Sequence, residues 1–128
     1  MNDVIANKSI LAVDDDPRML RALEKVLRDE GINVIAAAAA DQAVEILTAR
    51  KGNVDLLITD LRMPAGTGLT LISSVRERFP TLPVIVLTAF GSPYVRSECL
   101  RQGAVAFLEK PIQSQALLEA VAKAVSRA

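Results

Sequence analysis

Short apolar runs alternate along the chain with segments in which apolar residues recur every three or four positions. Apolar runs bounded by glycine, proline or polar residues predict buried strands, and the longer spacing predicts amphipathic helices between them. The strands are predicted over residues 9–13, 33–37, 56–59, 84–87 and 105–108. This alternation predicts an α/β fold in which a doubly wound parallel sheet of five strands is covered by five helices.

Residue preferences at helix ends set the boundaries of the predicted helices. Asp16 is a candidate N-cap of the first helix, Pro17 suits its first turn, and Gly31 lies past its end. The other helices are predicted over 41–50, up to Phe79, from Pro93 to just before Gly103, and from a cap at Ser114 or its neighbour to the C-terminus. The alanine run 36–40 is interpreted as a small-residue connection, and we expect one domain over residues 1–128.

Polar residues follow the predicted strands at their carboxyl ends. They are Asp14, Asp15, Asp60, Thr88, Glu109 and Lys110. In an open parallel sheet these strand ends share one edge, where ligands bind at the point at which the strand order reverses. Two carboxylates about 4 Å apart repel by about 4 kcal/mol at an effective dielectric of about 20, so a cluster of acids needs a cation. Oxygen ligands of this kind suit Mg²⁺, and Lys110 can neutralise a further charge.

A carboxylate beside a divalent cation can attack phosphorus, because the metal offsets the charge of the incoming phosphoryl group. The product is an aspartyl phosphate, to which Thr88 can donate a hydrogen bond and with which Lys110 can pair. Asp16 is interpreted as a helix cap. Thr88 alone would be a strand end and Lys110 alone a surface lysine, but the joint occurrence of polar residues at the carboxyl ends of the strands favours a functional site.

Four segments of the sequence resemble the signature of CheY-like receiver domains of two-component response regulators. These segments are VDD at 13–15, ITDLRMP at 58–64, LTA at 87–89 and FLEKPI at 107–112. The resemblance covers nearly the whole chain and implies the flavodoxin-like strand order 2-1-3-4-5. It also implies a signalling phosphoacceptor, which catalyses only its own phosphorylation and dephosphorylation and is not otherwise an enzyme.

The resemblance implies a role for each residue of the site. Asp60 would be the phosphoacceptor, and Asp14, Asp15 and Asp60 would hold Mg²⁺ together with the backbone carbonyl of Arg62. The phosphoryl-binding and switch residues would be Thr88, Lys110 and Phe107, the ring of Phe107 turning inward when Thr88 moves toward the phosphate.

Phosphorylation would shift an existing equilibrium and change the face formed by the fourth helix, the fifth strand and the fifth helix. The fifth helix is apolar over more than one narrow face, so we expect a homodimer or partner surface there. The implied partners are a sensor histidine kinase or phosphotransfer protein and a downstream effector or output domain. The basic first helix, over residues 18–28, is either a kinase docking edge or a solvated face.

Composition excludes several other classes of protein. The 15 basic and 15 acidic residues cancel, which argues against direct nucleic-acid binding. Cys99 is the single cysteine and histidine is absent, so neither an intrachain disulfide nor an imidazole zinc site is expected. No apolar run is long enough for a membrane span, and we expect a cytoplasmic location.

The sequence departs from the family pattern in two respects, and one other function remains as an alternative. Gly66 occupies a loop position where many family members carry a bulky apolar residue. Arg62 and Phe90 flank the expected approach of water and are hypothesised to slow hydrolysis of the phosphoryl group. The rival is a haloacid-dehalogenase-type phosphatase with Asp14 as nucleophile, because Asp14 and Asp16 form an Asp-x-Asp pair after the first strand. That pattern, however, expects Thr or Val where Arg18 stands. A flavin module is disfavoured because acids in the first loop repel phosphate, and a non-catalytic pseudo-receiver because every expected site residue is present.

Overall fold

The computed structural model describes residues 2–63, 66–89 and 91–126. Its strands are β1 (Ser9–Val13), β2 (Asn33–Ala37), β3 (Leu56–Thr59), β4 (Arg62–Met63), β5 (Gly66–Thr67), β6 (Val84–Thr88) and β7 (Ala106–Glu109). Five of them form a parallel sheet in the order β2-β1-β3-β6-β7, while β4 and β5 pair antiparallel as a separate hairpin. The predicted doubly wound sheet and its strand order 2-1-3-4-5 are therefore confirmed.

Five helices lie where the sequence predicts them, and a short additional helix precedes the first strand. The helices are α1 (Asn2–Ile5), α2 (Pro17–Arg28), α3 (Ala40–Ala49), α4 (Gly68–Arg78), α5 (Pro93–Arg101) and α6 (Ser114–Val125). None of the described helices has both the length and the apolar character needed to cross a bilayer.

Two apolar cores lie on opposite faces of the sheet because successive strand residues point to opposite sides. Leu11 and Leu57 face a core completed by α3, α4 and α5, where Leu47, Leu71 and Cys99 are buried. Ile10, Ile58 and Ile85 face the other core, to which α2 and α6 contribute Leu23, Leu27, Leu117 and Val121. Burial on both faces explains why the central strands are apolar throughout rather than alternating.

Helix caps behave largely as the sequence indicates. The Asp16 carboxylate accepts a hydrogen bond of 3.0 Å from the Arg18 amide, which confirms it as the N-cap of α2. Ser92 caps α5 in the same way through the Val95 amide at 3.1 Å. At α6 the N-cap is Gln113, the neighbour of Ser114, and its side chain makes no capping hydrogen bond.

The predicted boundaries differ from the observed ones by a single residue in three elements. β6 extends to Thr88, β7 begins at Ala106 and ends at Glu109, and α3 begins at Ala40. The alanine run divides accordingly, with its first two residues in β2 and its last in α3. These shifts place Thr88 and Glu109 within paired strands, directly opposite each other.

Candidate functional site

Asp14 and Asp60 are fixed at one edge of the sheet by the strands that precede them. Asp14 follows β1 and donates its amide to the Ala37 carbonyl at 3.1 Å, and Asp60 follows β3 and donates to the Val13 carbonyl at 3.1 Å. Both bonds continue the parallel ladder one residue beyond its strands. The two side chains therefore start from the most rigid part of the backbone.

Three carboxylates converge at this edge. Oxygens of Asp14, Asp15 and Asp60 all lie within 4.8 Å of one another. Asp14 is 4% and Asp60 5% exposed, whereas Asp15 is exposed to solvent. Repulsion between like charges at this separation makes the site unfavourable unless cations lie nearby.

One oxygen of each buried carboxylate accepts a backbone hydrogen bond. The Asp16 amide donates to Asp14 Oδ1 at 2.9 Å, and the Leu61 amide donates to Asp60 Oδ1 at 2.6 Å. Backbone donors cannot swing away as side chains can, so these bonds fix the plane of each carboxylate.

Lys110 bridges the two buried acids through their second oxygens. Its ammonium Nζ lies 2.7 Å from Asp14 Oδ2 and 2.9 Å from Asp60 Oδ2, and its side chain is 11% exposed. Burial by itself lowers the pKa of this lysine, but the hydrogen bonds to Asp14 and Asp60 and their negative charges outweigh it, so the pKa is raised above its usual value of 10.5. Lys110 therefore stays charged at neutral pH.

The backbone of Lys110 is tied to the neighbouring strand. Its amide donates to the Thr88 carbonyl at 2.9 Å, and Lys110 is followed by a cis bond to Pro111. Thr88 itself is fully buried at the end of β6. One hydrogen bond thus links the lysine to the strand end that carries the threonine.

Phe107 lies one strand away, on β7, and is 6% exposed. An ideal Cβ built on Gly91 would come within 3.0–3.1 Å of the Phe107 ring, so the absence of a side chain at Gly91 leaves room for that ring. The Arg96 guanidinium lies 5.9 Å from the ring centroid. The aromatic side chain thus points inward and has both a glycine and an arginine as neighbours.

The structure brings together most of the residues that the sequence singled out. Asp14, Asp15, Asp60 and Lys110 share the edge, and Thr88 is joined to Lys110 through the backbone. Arg62 lies in β4, within the hairpin that follows Asp60. Phe90, the other residue of the hydrolysis hypothesis, lies outside the described residues.

Sequence reasoning missed the neighbours that hold the site residues in place. The amides of Asp16 and Leu61 gave no signal, because any residue other than proline supplies such a donor. Arg96 and Gly91 gave none either, since their proximity to Phe107 depends on how α5 packs against β7.

The donor set fits a hard divalent cation. Mg²⁺ prefers oxygen ligands and usually keeps several waters, which suits a partly open group of carboxylates. Asp16 does not belong to this group, because its carboxylate caps α2. The Asp14 and Asp16 pair required by the phosphatase alternative is therefore not assembled at the site.

Comparison with known proteins places the chain in a family. Residues 10–122 match the response regulator receiver domain. The transcriptional regulatory protein GlrR of Escherichia coli K12 is 37% identical over 118 residues, covering 92% of this chain but 26% of that protein. The chain thus spans about a quarter of the length of this curated relative.

Solved structures agree with the sequence matches. The CheX–CheY complex of Borrelia burgdorferi with BeF₃ and Mg²⁺ contains a chain with a TM-score of 0.90 and 28% identity, at 95% coverage of this chain and 96% of that one. The beryllofluoride-activated NtrC4 receiver domain dimer gives a TM-score of 0.85 and 28% identity, at 92% and 96% coverage. Nothing in these similarities supports the phosphatase alternative. The chain belongs to the response regulator receiver domain family and is a receiver domain of two-component signalling.

Proposed function

We propose that Asp60 accepts a phosphoryl group from a histidine kinase, a phosphotransfer protein or a small phosphodonor, in a reaction that depends on Mg²⁺. The observation that carries this proposal is the position of Asp60, a nearly buried carboxylate beside two other acids and in contact with the Lys110 ammonium. Asp14 has equivalent contacts, with Lys110 at one oxygen and the Asp16 amide at the other, so the choice of Asp60 over Asp14 rests on the resemblance of residues 58–64 to the receiver signature.

The transfer is a displacement at phosphorus. A carboxylate oxygen of Asp60 forms the new oxygen–phosphorus bond, while the bond from phosphorus to the donor nitrogen or oxygen breaks and its electron pair leaves with the donor. Lys110 pairs with a phosphoryl oxygen, and Thr88 donates a hydrogen bond to another.

Asp14, Asp15 and Asp60 would hold Mg²⁺, together with the backbone carbonyl of Arg62. When bound, the metal offsets the negative charge that carboxylates and phosphoryl oxygens bring together. The chain's own contribution is to hold the carboxylates in fixed orientations through the Asp16 and Leu61 amides. Preorganised groups of this kind do not have to reorient as the charge develops.

The signal would be read through Thr88 and Phe107. Recruitment of Thr88 to the phosphoryl group favours the inward position of Phe107 and shifts a two-state equilibrium of the face formed by α5, β7 and α6. That face would bind a downstream effector, an output domain or a second copy of the chain. The single-domain extent over residues 1–128, the cytoplasmic location and the absence of direct nucleic-acid contact stay predictions.

Acetyl phosphate and Mg²⁺ test the phosphoacceptor. Intact mass spectrometry of the wild-type domain is expected to show one added phosphoryl group, and reductive trapping with borohydride followed by peptide mapping should locate it at Asp60. Asp60→Asn should remove the modification, whereas Asp29→Asn, which alters an exposed carboxylate paired with Lys25, should retain it.

The same experiment separates the rival interpretation. Modification at Asp14 would favour a phosphatase-like nucleophile, and an unmodified wild-type chain would refute the phosphoacceptor proposal. Chelation of Mg²⁺ is expected to suppress labelling; labelling that is equally fast in EDTA would contradict the role given to the metal.

A further inference from the structure

The Arg96 side chain of α5 reaches across to β7 and contacts Phe107 in two ways. Its guanidinium carbon lies 5.9 Å from the centroid of the Phe107 ring, and its Nη1 donates to the Phe107 backbone carbonyl at 3.4 Å. A cation placed over an aromatic face is attracted by the ring quadrupole, and the long hydrogen bond adds a second attachment to the same residue.

Arg96 differs from its neighbour Arg101 in the partner of its charge. Among the residues that the structure describes, Arg96 forms no salt bridge, whereas Arg101 on the same helix pairs with Glu98. Two arginines of one helix thus have different partners, and that of Arg96 is an aromatic residue. This difference supplies a matched control for the contact.

The Phe107 ring also lies close to Gly91. A Cβ at this position would come within 3.0 Å of Phe107 Cε1 and 3.1 Å of its Cζ, which is closer than such contacts ordinarily allow. The inward ring therefore has one neighbour that attracts it, Arg96, and another, Gly91, whose lack of a side chain leaves it space.

β7 is an edge strand of the sheet, so its outer backbone groups lack a neighbouring strand. Arg96 satisfies one of these groups, the carbonyl of Phe107 itself. The same arginine thus fixes both the backbone and the ring of one residue.

We propose that Arg96 is a positioning residue that holds Phe107 inward and sets the resting balance of the switch. This inference rests on the proposed function in one respect, namely that Phe107 is the residue which reads the phosphoryl group. Loss of a cation–π contact at an exposed site is expected to change the ratio of inward to outward ring by about twofold to fivefold.

Fluorine NMR of protein labelled with 4-fluorophenylalanine reports this ratio directly. The chain contains 3 phenylalanines, so the spectrum is simple, and the Phe107→Leu variant assigns the resonance of interest. Arg96→Met keeps an apolar stem but removes the charge, and it is expected to move the Phe107 resonance of the resting protein toward that of an exposed ring. Arg101→Met should leave the resonance unchanged.

Two further variants test the physical cause. Arg96→Lys keeps a cation but loses the planar fork, so it should restore the inward population in part. Gly91→Ala should displace the ring by crowding, with the charge of Arg96 intact. Adding beryllofluoride with Mg²⁺ should draw the resonance of each variant toward the inward position.

Distinct results would overturn the two proposals. If Arg96→Met and Arg101→Met give the same Phe107 resonance as the wild type, Arg96 does not position the ring. An equal displacement by both variants would also refute it, because the effect would then be a general one of α5. If the wild-type resonance ignores beryllofluoride and Asp60 stays unlabelled, the proposed function fails, while the resting spectra still decide the role of Arg96.

Discussion

Replacing Lys110 by methionine tests the electrostatic balance of the site. The variant keeps the length of the side chain but removes the ammonium that contacts Asp14 at 2.7 Å and Asp60 at 2.9 Å. Two carboxylates 4.8 Å apart repel by about 3.5 kcal/mol at an effective dielectric of about 20, and closer oxygens repel more. Breaking a buried ion pair by removing one partner costs about 3–5 kcal/mol.

We expect Lys110→Met to lower the free energy of unfolding by about 3 kcal/mol at neutral pH in EDTA, the lower end of that range because the site is open on one side. With a urea dependence of about 2 kcal/mol per molar, the unfolding midpoint falls by about 1.5 M. Circular dichroism during urea titration measures the shift. Excess Mg²⁺ should recover part of the loss, since a bound cation can replace the missing charge.

The difference in the free energy of unfolding between the wild type and Lys110→Met should also change with pH in a defined direction. The pKa of Lys110 is raised by its carboxylate partners above the usual 10.5, so its stabilising contribution is complete at neutral pH and is lost as pH rises through the raised pKa. When the pH is raised from neutral, the difference in the free energy of unfolding between wild type and variant should therefore narrow as the solution becomes strongly alkaline.

An exposed lysine provides the control. Lys25 pairs with Asp29 at 3.1 Å, but the two side chains are 77% and 62% exposed, and Lys25→Met should cost less than about 0.5 kcal/mol. Equal losses for the two lysine variants, or a Lys110→Met loss that Mg²⁺ does not reduce, would refute the argument that a shared ammonium holds the carboxylate cluster together.

Three further variants test neighbouring features. Asp15→Asn removes an exposed charge from the acidic cluster and leaves the contacts of Lys110 in place. Urea titration in EDTA should show a free energy of unfolding that is higher by about 1 kcal/mol, and the stabilisation by Mg²⁺ should be smaller. A lower free energy of unfolding in EDTA would contradict the repulsion argument. Asp16→Ala removes the cap of α2 and should cost about 1 kcal/mol in thermal unfolding, yet leave acetyl phosphate labelling intact, whereas abolished labelling would revive the phosphatase alternative. Gly103 has a φ of +112°, and a Cβ there would collide with the Arg76 guanidinium. Gly103→Ala should therefore lower the free energy of unfolding, measured by urea titration, by about 1–3 kcal/mol. Adding Arg76→Ala should remove the steric part of this loss and leave the backbone strain.

The strands and the position of the acids that follow them could be predicted from strong local patterns in the sequence, whereas the strand order 2-1-3-4-5 is implied by the family resemblance. Each central strand is a continuous apolar run, and the residue that follows it is polar. The sequence therefore predicts that Asp14 and Asp60 lie at the same edge of the sheet, and the structure puts them within one cluster.

Features that depend on tertiary contacts could not be predicted in this way. α1 has four residues, too few for a periodic pattern, and it is stabilised by burial of Ile5 at 0% exposure among residues of α2 and α6. The hairpin of β4 and β5 has two residues per strand, below what an alternating pattern can reveal. The bridging of two acids by Lys110 depends on how far its side chain reaches from the end of β7 across β6 to the residues that follow β1 and β3, which residue types alone do not specify.

The two oxygens of each buried carboxylate, Asp14 and Asp60, have different partners, and this affects how a cation binds and leaves. Each Oδ1 accepts a hydrogen bond from a backbone amide, and each Oδ2 contacts the Lys110 ammonium. A cation that binds the Oδ2 atoms must therefore compete with the lysine. Because Lys110 belongs to the same chain, its effective concentration at the carboxylates does not depend on the protein concentration. When a cation leaves these oxygens, the lysine can return to both of them, so the two carboxylates would keep a positively charged partner with or without the metal.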